Sequence, residues 1–277
     1  MNPIYDYLDY RRFLKDRFLE LKNKNSLFSY RSFNRLAGVK SSGFLKLVID
    51  KKRNLADNGI RMISRGLKLN EHERKYFEIL VKFNQAKTNE EKDYHFQELS
   101  KKKKFISAKP MTVAQYHLLS NWYCVAILEL IRAETRELKN IDWISQHLNP
   151  LVELREIKKG VEILKQLGLL YERKNGQLIR REGMLTTEDE VNSISAANFH
   201  VQMSQLAGRA VMQEQSGERE FSTLTIITSE KSFQRAKQEI QRFRKSLHSI
   251  LEQEKDGTKK IVAHLNLQLF KLSDKVD

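Results

Sequence analysis

From Ile4 to Lys22, Tyr5, Leu8, Phe13, Leu14, Phe18 and Leu21 recur at helical spacing, with Arg11, Arg12, Lys15 and Arg17 mostly off the stripe. The pattern predicts one amphipathic helix. A polar loop, Lys22 to Ser26, follows it. Phe33, Leu36 and Ala37 then share a face, the period breaks at Gly38-Val39-Lys40, and Phe44, Leu47 and Val48 resume it. This reads as two short helices and a tight turn, with Gly38 supplying a left-handed backbone at little cost. Lys40 or Ser41 is expected to start the second helix, Ser41 being a good N-cap. With Phe44, Leu47 and Val48 inward, the outward positions are Ser41, Ser42, Gly43, Leu45 and Lys46. They are small or basic at the leading end, as a helix entering a DNA major groove requires.

Lys51-Lys52-Arg53 forms a cationic turn after that helix. Two further helices are expected, at about Asp57 to Leu67 and Glu71 to Phe83, the second capped by Asn70, with Glu71 and Glu73 suiting its positive end. Asn89 to Ser100 reads as a polar helix. Lys101 to Lys104 and Ser107 to Pro110 read as linker, because a lysine run repels itself and Pro110 cannot continue a helix. Beyond it, helices are expected around Trp122 to Ile131, Trp143 to Leu148 and Leu151 to Leu167, ended by Gly168. Lys174-Asn175-Gly176 between two apolar runs is a strong hairpin signal. Three helices and a hairpin make a winged helix. From Glu188 to Gln213 a helix is expected. Phe221 to Thr228 reads as a strand, Ser229 to about Glu254 as a long helix with Phe233, Ile240, Phe243, Leu247, Ile250 and Leu251 on one face, and Ile261 to Leu272 as a strand. A strand-helix-strand order is a parallel crossover, and two strands need completing by others.

The fold class expected is mainly α with an α+β C-terminal part. Its divisions are a helix-turn-helix domain over 1-88, a helix and basic linker over 89-111, a winged helix over 112-185, and a small α/β domain for dimerisation or sensing over 186-277. A chain of 277 residues is long enough for several cores. Its composition, 40% hydrophobic and 31% charged, suits a globular protein, and no apolar run approaches the ~20 residues of a membrane span. The charged N-terminus does not read as a signal peptide, and a single Cys fits a reducing cytoplasm. The net charge is +15, and its distribution is uneven. Residues 1-109 hold 26 Lys and Arg against 13 Asp and Glu, a balance of +13, whereas residues 110-277 hold 24 against 22, a balance of +2. The excess lies with the two-helix motif, as expected of a part that meets a polyanion.

The motif resembles the helix-turn-helix of phage-repressor-type regulators. More closely, the chain resembles a bacterial family of transcriptional regulators, prominent in predatory and fibre-degrading bacteria, with a conserved C-terminal domain of unassigned function. The resemblance rests on Tyr10 to Leu14, Ser29 to Phe33, Val48 to Leu55, Tyr76-Phe77 and Gln85 to Lys87. It continues through Trp122-Tyr123, Asp142 to Ile144, Leu167 to Leu169, Arg219 to Thr225 and Leu267 to Phe270. Lys51 departs from the family pattern, which has Gly after Val-Ile-Asp. Lys271 departs where the family has Pro after Phe. A left-handed residue at Lys51 would cost about 1 kcal/mol.

No phosphate-binding glycine loop, nucleophile elbow, His-Glu-x-x-His or paired-Cys motif occurs, and the seven His are scattered. Cys124, on an apolar helix face, reads as a packed thiol. The function expected is therefore a sequence-specific, non-enzymatic DNA-binding regulator without metal or cofactor. Its candidate DNA-contacting residues are Tyr30, Arg31, Lys40, Ser41, Ser42, Gly43, Lys46, Lys51, Lys52 and Arg53. Its expected partners are double-stranded DNA, a second copy joined through residues 112-277, and an effector or protein of unspecified kind, with no membrane. The rival readings are a protein-interaction adaptor, which has no need of cations on one side of the first domain, and an RNA-binding regulator, which should show exposed aromatics for stacking.

Overall fold

A computed structural model describes residues 3-133, 135, 137-181, 189-252 and 261-274. The chain is mainly helical. After a 3-10 turn at Ile4–Asp6 the helices are α1 (Tyr10–Lys24), α2 (Tyr30–Leu36), α3 (Phe44–Ile49), α4 (Asp57–Gly66), α5 (Glu71–Gln85), α6 (Asn89–Ser100), α7 (Lys103–Ala108), α8 (Pro110–Leu119), α9 (Trp122–Leu130), α10 (Ile141–His147), α11 (Leu154–Gln166), α12 (Asp189–Gln213) and α13 (Glu230–Glu252). Strands β1 (Leu170–Glu172) and β2 (Leu178–Arg180) pair antiparallel, with Leu170 opposite Arg180 and Glu172 opposite Leu178. The chain divides into two compact units, Met1–Val113 with Glu188–Ile194, and Ala114–Thr187 with Ser195–Asp277.

In the first unit the apolar stripe of the N-terminal segment is buried as its spacing demands, but the helix begins later than expected. The carboxylate of Asp9 accepts the amides of Arg11 and Arg12 and so caps α1, leaving Ile4 to Asp6 as a separate turn. Phe13, Phe33, Phe77, Phe83, Phe96 and Phe105 are fully buried. Two amides at the end of α5 join the chain's first segment to this core. Asn84 accepts from the Tyr10 amide and donates to the Leu8 carbonyl, while Gln85 bonds the Tyr10 hydroxyl and both backbone groups of Leu55. At α5 the expected Asn70 cap is completed into a reciprocal box with Glu73.

The lysine run is not a linker. Lys103 and Lys104 open α7, and Phe105, two residues on, packs its ring 6.0 Å from Tyr76 and 6.1 Å from Phe96. Lys101 is ion-paired with Glu98 at 2.6 Å, and the Lys104 ammonium lies over the Tyr5 ring. Burial of one large ring outweighs the mutual repulsion of solvated ammonium groups, which is screened by salt. Pro110 starts a helix rather than ending one, since its missing amide costs nothing in a first turn.

In the second unit Ala114, Leu118, Cys124, Ile127, Trp143, Ile144, Ile157, Val161, Leu164 and Leu178 share one core. Helices α9, α10 and α11 and the hairpin therefore stand where the sequence pattern puts three helices and a hairpin. Gly168 ends α11 with φ +71°, and Gly176 turns the hairpin with φ +82°. The remainder departs from expectation. Neither Phe221–Thr228 nor Ile261–Leu272 forms a strand, and among the described residues neither makes a backbone hydrogen bond. Alternation and β-branching favour a pleated, half-buried surface, but a strand exists only where a neighbour supplies its ladder. The expected α13 forms, yet none of its described residues is buried. The parts of the helix expectations at Glu188 and at 253-254 fall outside the described residues.

Candidate nucleic-acid interface

The interface is built on a turn held by one buried amide. Ser29 caps α2 by accepting the Ser32 amide, and the helix ends in a left-handed Gly38, φ +73°. The Val39 amide bonds the Asn34 carbonyl and the Gly38 amide the Arg35 carbonyl, the paired bonds of a Schellman ending. The side chain of Asn34, almost fully buried, then reaches across the turn. Its Nδ2 donates to the carbonyls of Ser41 and Ser42 at 3.0 and 2.7 Å, and its Oδ1 accepts the Leu45 amide at 3.4 Å.

This clamp changes the phase of the second helix. Ser41 and Ser42 are held in the turn, Gly43 occupies the cap position without a side-chain bond, and α3 begins at Phe44 rather than at Lys40 or Ser41. Asn34 does for the Leu45 amide what the hydroxyl of Ser41 was expected to do for a first-turn amide. The three-residue delay rotates the inward face. Leu45 is buried where an outward position was expected, and Leu47 is exposed where an inward one was. In α2, Leu36 is likewise exposed while Asn34 takes the inward place. The helix expected over Ser41 to Ile49 is six residues long.

The end of α3 is clamped from α1. Arg11 donates through Nη1 to the carbonyls of Val48 and Arg53, and through Nη2 to Asn54 Oδ1 at 2.6 Å. Lys51 is left-handed, φ +61°, with the Lys52 amide on the Leu47 carbonyl at 2.9 Å and the Lys51 amide on the Val48 carbonyl at 3.2 Å. It is the same helix ending as at Gly38, made with a side chain present. Lys68 repeats it after α4 with φ +52°.

Of the sequence-derived candidates, Arg31, Lys40, Ser41, Ser42, Lys46, Lys51, Lys52 and Arg53 are exposed, and Gly43 is half-buried. Tyr30 stands apart: its ring stacks on Phe18 at 3.9 Å and 3°, and burial, then the nearby Asp50 carboxylate, holds its hydroxyl above the usual range. Its ring belongs to the packing of α1 on α2. The Arg53 guanidinium lies 4.9 Å from the centre of the Phe44 ring, which fixes where that cation is carried. Residues 31-53 hold seven Lys and Arg and one acid, Asp50. Among the described residues, Arg31, Lys40, Lys46, Lys51, Lys52 and Arg53 make no ion pair, whereas Lys24, Lys75, Lys82 and Lys101 of the same unit are each paired with a glutamate three or four residues before them. Asn34 and Arg11 are the structural residues that periodicity missed, one reading as a surface amide and the other as a solvated cation.

The hairpin of the second unit carries cations of another kind. Arg180 pairs with Glu129 at 2.7 Å, Lys165 with Glu162 and Glu172, and Arg173 bonds Gln177. Arg181 covers the Tyr171 ring. Cys124 is buried there, its thiol pushed up to about 12 by desolvation. No cluster of three or more potential metal ligands occurs among the described residues.

A family model described as a domain of unknown function (DUF4423) matches residues 100-272, more than half of the chain. The chain belongs to the DUF4423 family. The DUF4423 match takes in α7 to α13 with the hairpin and the two unpaired segments, and leaves Arg11, α2 and α3 outside it. No curated protein and no solved structure matches the chain. No helix among the described residues is long and apolar enough to cross a membrane.

Proposed function

We propose that this chain is a sequence-specific, non-enzymatic DNA-binding transcriptional regulator of the cytoplasm, in which α2, the Asn34-held turn and α3 form a helix-turn-helix that enters the major groove. What carries the reading is the unneutralised charge of residues 31-53, seven cations to one acid, on a backbone fixed at both ends by Asn34 and Arg11. Cations held without counter-charges on a rigid turn suit a surface that receives phosphates, because each releases counterions from DNA on binding. Lys51, Lys52 and Arg53 grip the backbone in this reading, and Ser42 and Lys46 face base edges. Helices α9 to α11 and the hairpin serve as a winged helix of protein-contact type, since its arginines and Lys165 are engaged within their own unit.

The test uses the full chain and genomic DNA fragments over a salt series, with sequencing of the fragments retained. Affinity falls steeply with salt, each phosphate contact adding ~0.9 to the log–log slope. Lys52→Ala weakens binding to all sequences alike, whereas Ser42→Ala shifts preference between sites by about 1–3 kcal/mol. Absence of binding at low salt overturns the reading in favour of a protein-contact adaptor. An identical uniform loss in both variants overturns the assigned roles.

A further inference from the structure

Seventeen of the twenty-seven exposed large apolar residues lie between Val201 and Leu272. Contiguous patches on a monomer rarely exceed a few hundred Å2, while a standard interface takes roughly 800 Å2 from each partner. Summed over this stretch, seventeen large side chains, each at least 39% exposed, present apolar area on the order of the second figure. Within this surface Phe221–Thr228 is exposed along its whole length and lacks backbone partners among the described residues. It contains no charged residue, no Pro and no Gly. Unpaired strand-forming edges in native proteins are normally blunted by such residues. The second segment is held by side chains alone: Asn266 and Gln268 donate to Ser204 Oγ on α12, and His264 meets the Phe199 ring at 5.7 Å.

We infer that residues 221-228 pair antiparallel with the same segment of a second copy, across a two-fold axis at Leu224. A second copy is the partner always present in equal amount, and the near-neutral balance of residues 110-277 raises no barrier to its approach. The register follows from symmetry and charge. Rungs of an antiparallel ladder alternate in type, so a two-fold axis must pass through a residue that faces itself. An axis at Thr225 would set Glu220 against the partner's Glu230 and Arg219 against the partner's Lys231. An axis at Leu224 sets Phe221 against the partner's Ile227, Ser222 against the partner's Ile226, and Thr223 against the partner's Thr225. These are favourable cross-strand pairs, and the like-charge rungs fall from two to one, Glu218 against the partner's Glu230. The exposed row Phe243, Ile250 and Leu251 of α13 supplies apolar surface beside the new sheet.

The inference is independent of DNA binding and is tested without DNA. Light scattering of the full chain at micromolar concentration gives twice 32.6 kDa. Under mild oxidation Leu224→Cys forms a covalent dimer, because self-opposed residues lie within the Cα separation a disulfide spans. Ile227→Cys does not, its counterpart lying six rungs away. Cys124, buried, leaves the assay undisturbed. A monomeric mass overturns the inference. So does a dimer in which both variants cross-link equally, or neither does, since that dimer uses another face or register.

Discussion

At Lys51 a side chain stands where glycine is the ordinary choice. The left-handed backbone costs a residue with a Cβ about 1 kcal/mol, and the Schellman bonds at Lys52 and Lys51 hold it there. Lys51→Gly therefore raises stability by about 1 kcal/mol in chemical denaturation, and at the same time lowers the salt slope of DNA binding by ~0.9 for the lost phosphate contact. A gain in stability with an unchanged slope would remove Lys51 from the interface. Single residues were legible in the sequence where the constraint is local. Gly38 and Gly168 are each followed by the turn that needs them. Asn34 was not legible, because its partners are the carbonyls seven and eight positions later, and no periodicity reports a bond of that kind. Leu45 and Leu47 exchanged faces for the same reason: six residues make fewer than two turns, so the start of the helix, which Asn34 decides, also decides its face.

Elements were legible in proportion to their length and to the number of buried positions they carry. Helices α4, α5 and α11 and the hairpin stand close to the spans their patterns predict. The lysine stretch was misread because four ammonium groups dominate the composition while one ring decides the structure. Phe105→Ala removes that ring and costs about 3–5 kcal/mol. Trypsin reports it locally: Lys101 to Lys104 is cut slowly in the parent chain and rapidly in the variant. Equal cleavage would mean that α7 is not held by Phe105. The two segments read as strands show the opposite failure. Their composition was read correctly, but pairing is a property of two segments, and one sequence does not say where the other lies.

For the molecule as a whole, charge and apolar surface are segregated along the chain. Cations collect in residues 1-109 and exposed apolar side chains in residues 201-272, so the part assigned to DNA and the part assigned to self-association are different. The uncharged run Phe221–Thr228 also has a bearing on the life of the chain before any partner is met. Eight consecutive residues rich in β-branched side chains, without charge, Pro or Gly, have the composition that seeds cross-β aggregates. They are bracketed by the charged residues Arg219 and Glu220 on one side and Glu230 and Lys231 on the other, which make indefinite in-register stacking repulsive while permitting one symmetric pairing about Leu224. Arg219 moreover lies over the Phe221 ring at 5.7 Å. Replacing Glu220 and Lys231 together by Ala lowers the fraction of newly synthesised protein recovered in the supernatant and brings forward the onset of thioflavin-positive turbidity on heating; unchanged recovery and onset would show that the flanking charges have no such role. The same short stretch thus sets both how the protein finds its like and how it ages, with four flanking charges deciding between a finite assembly and an endless one.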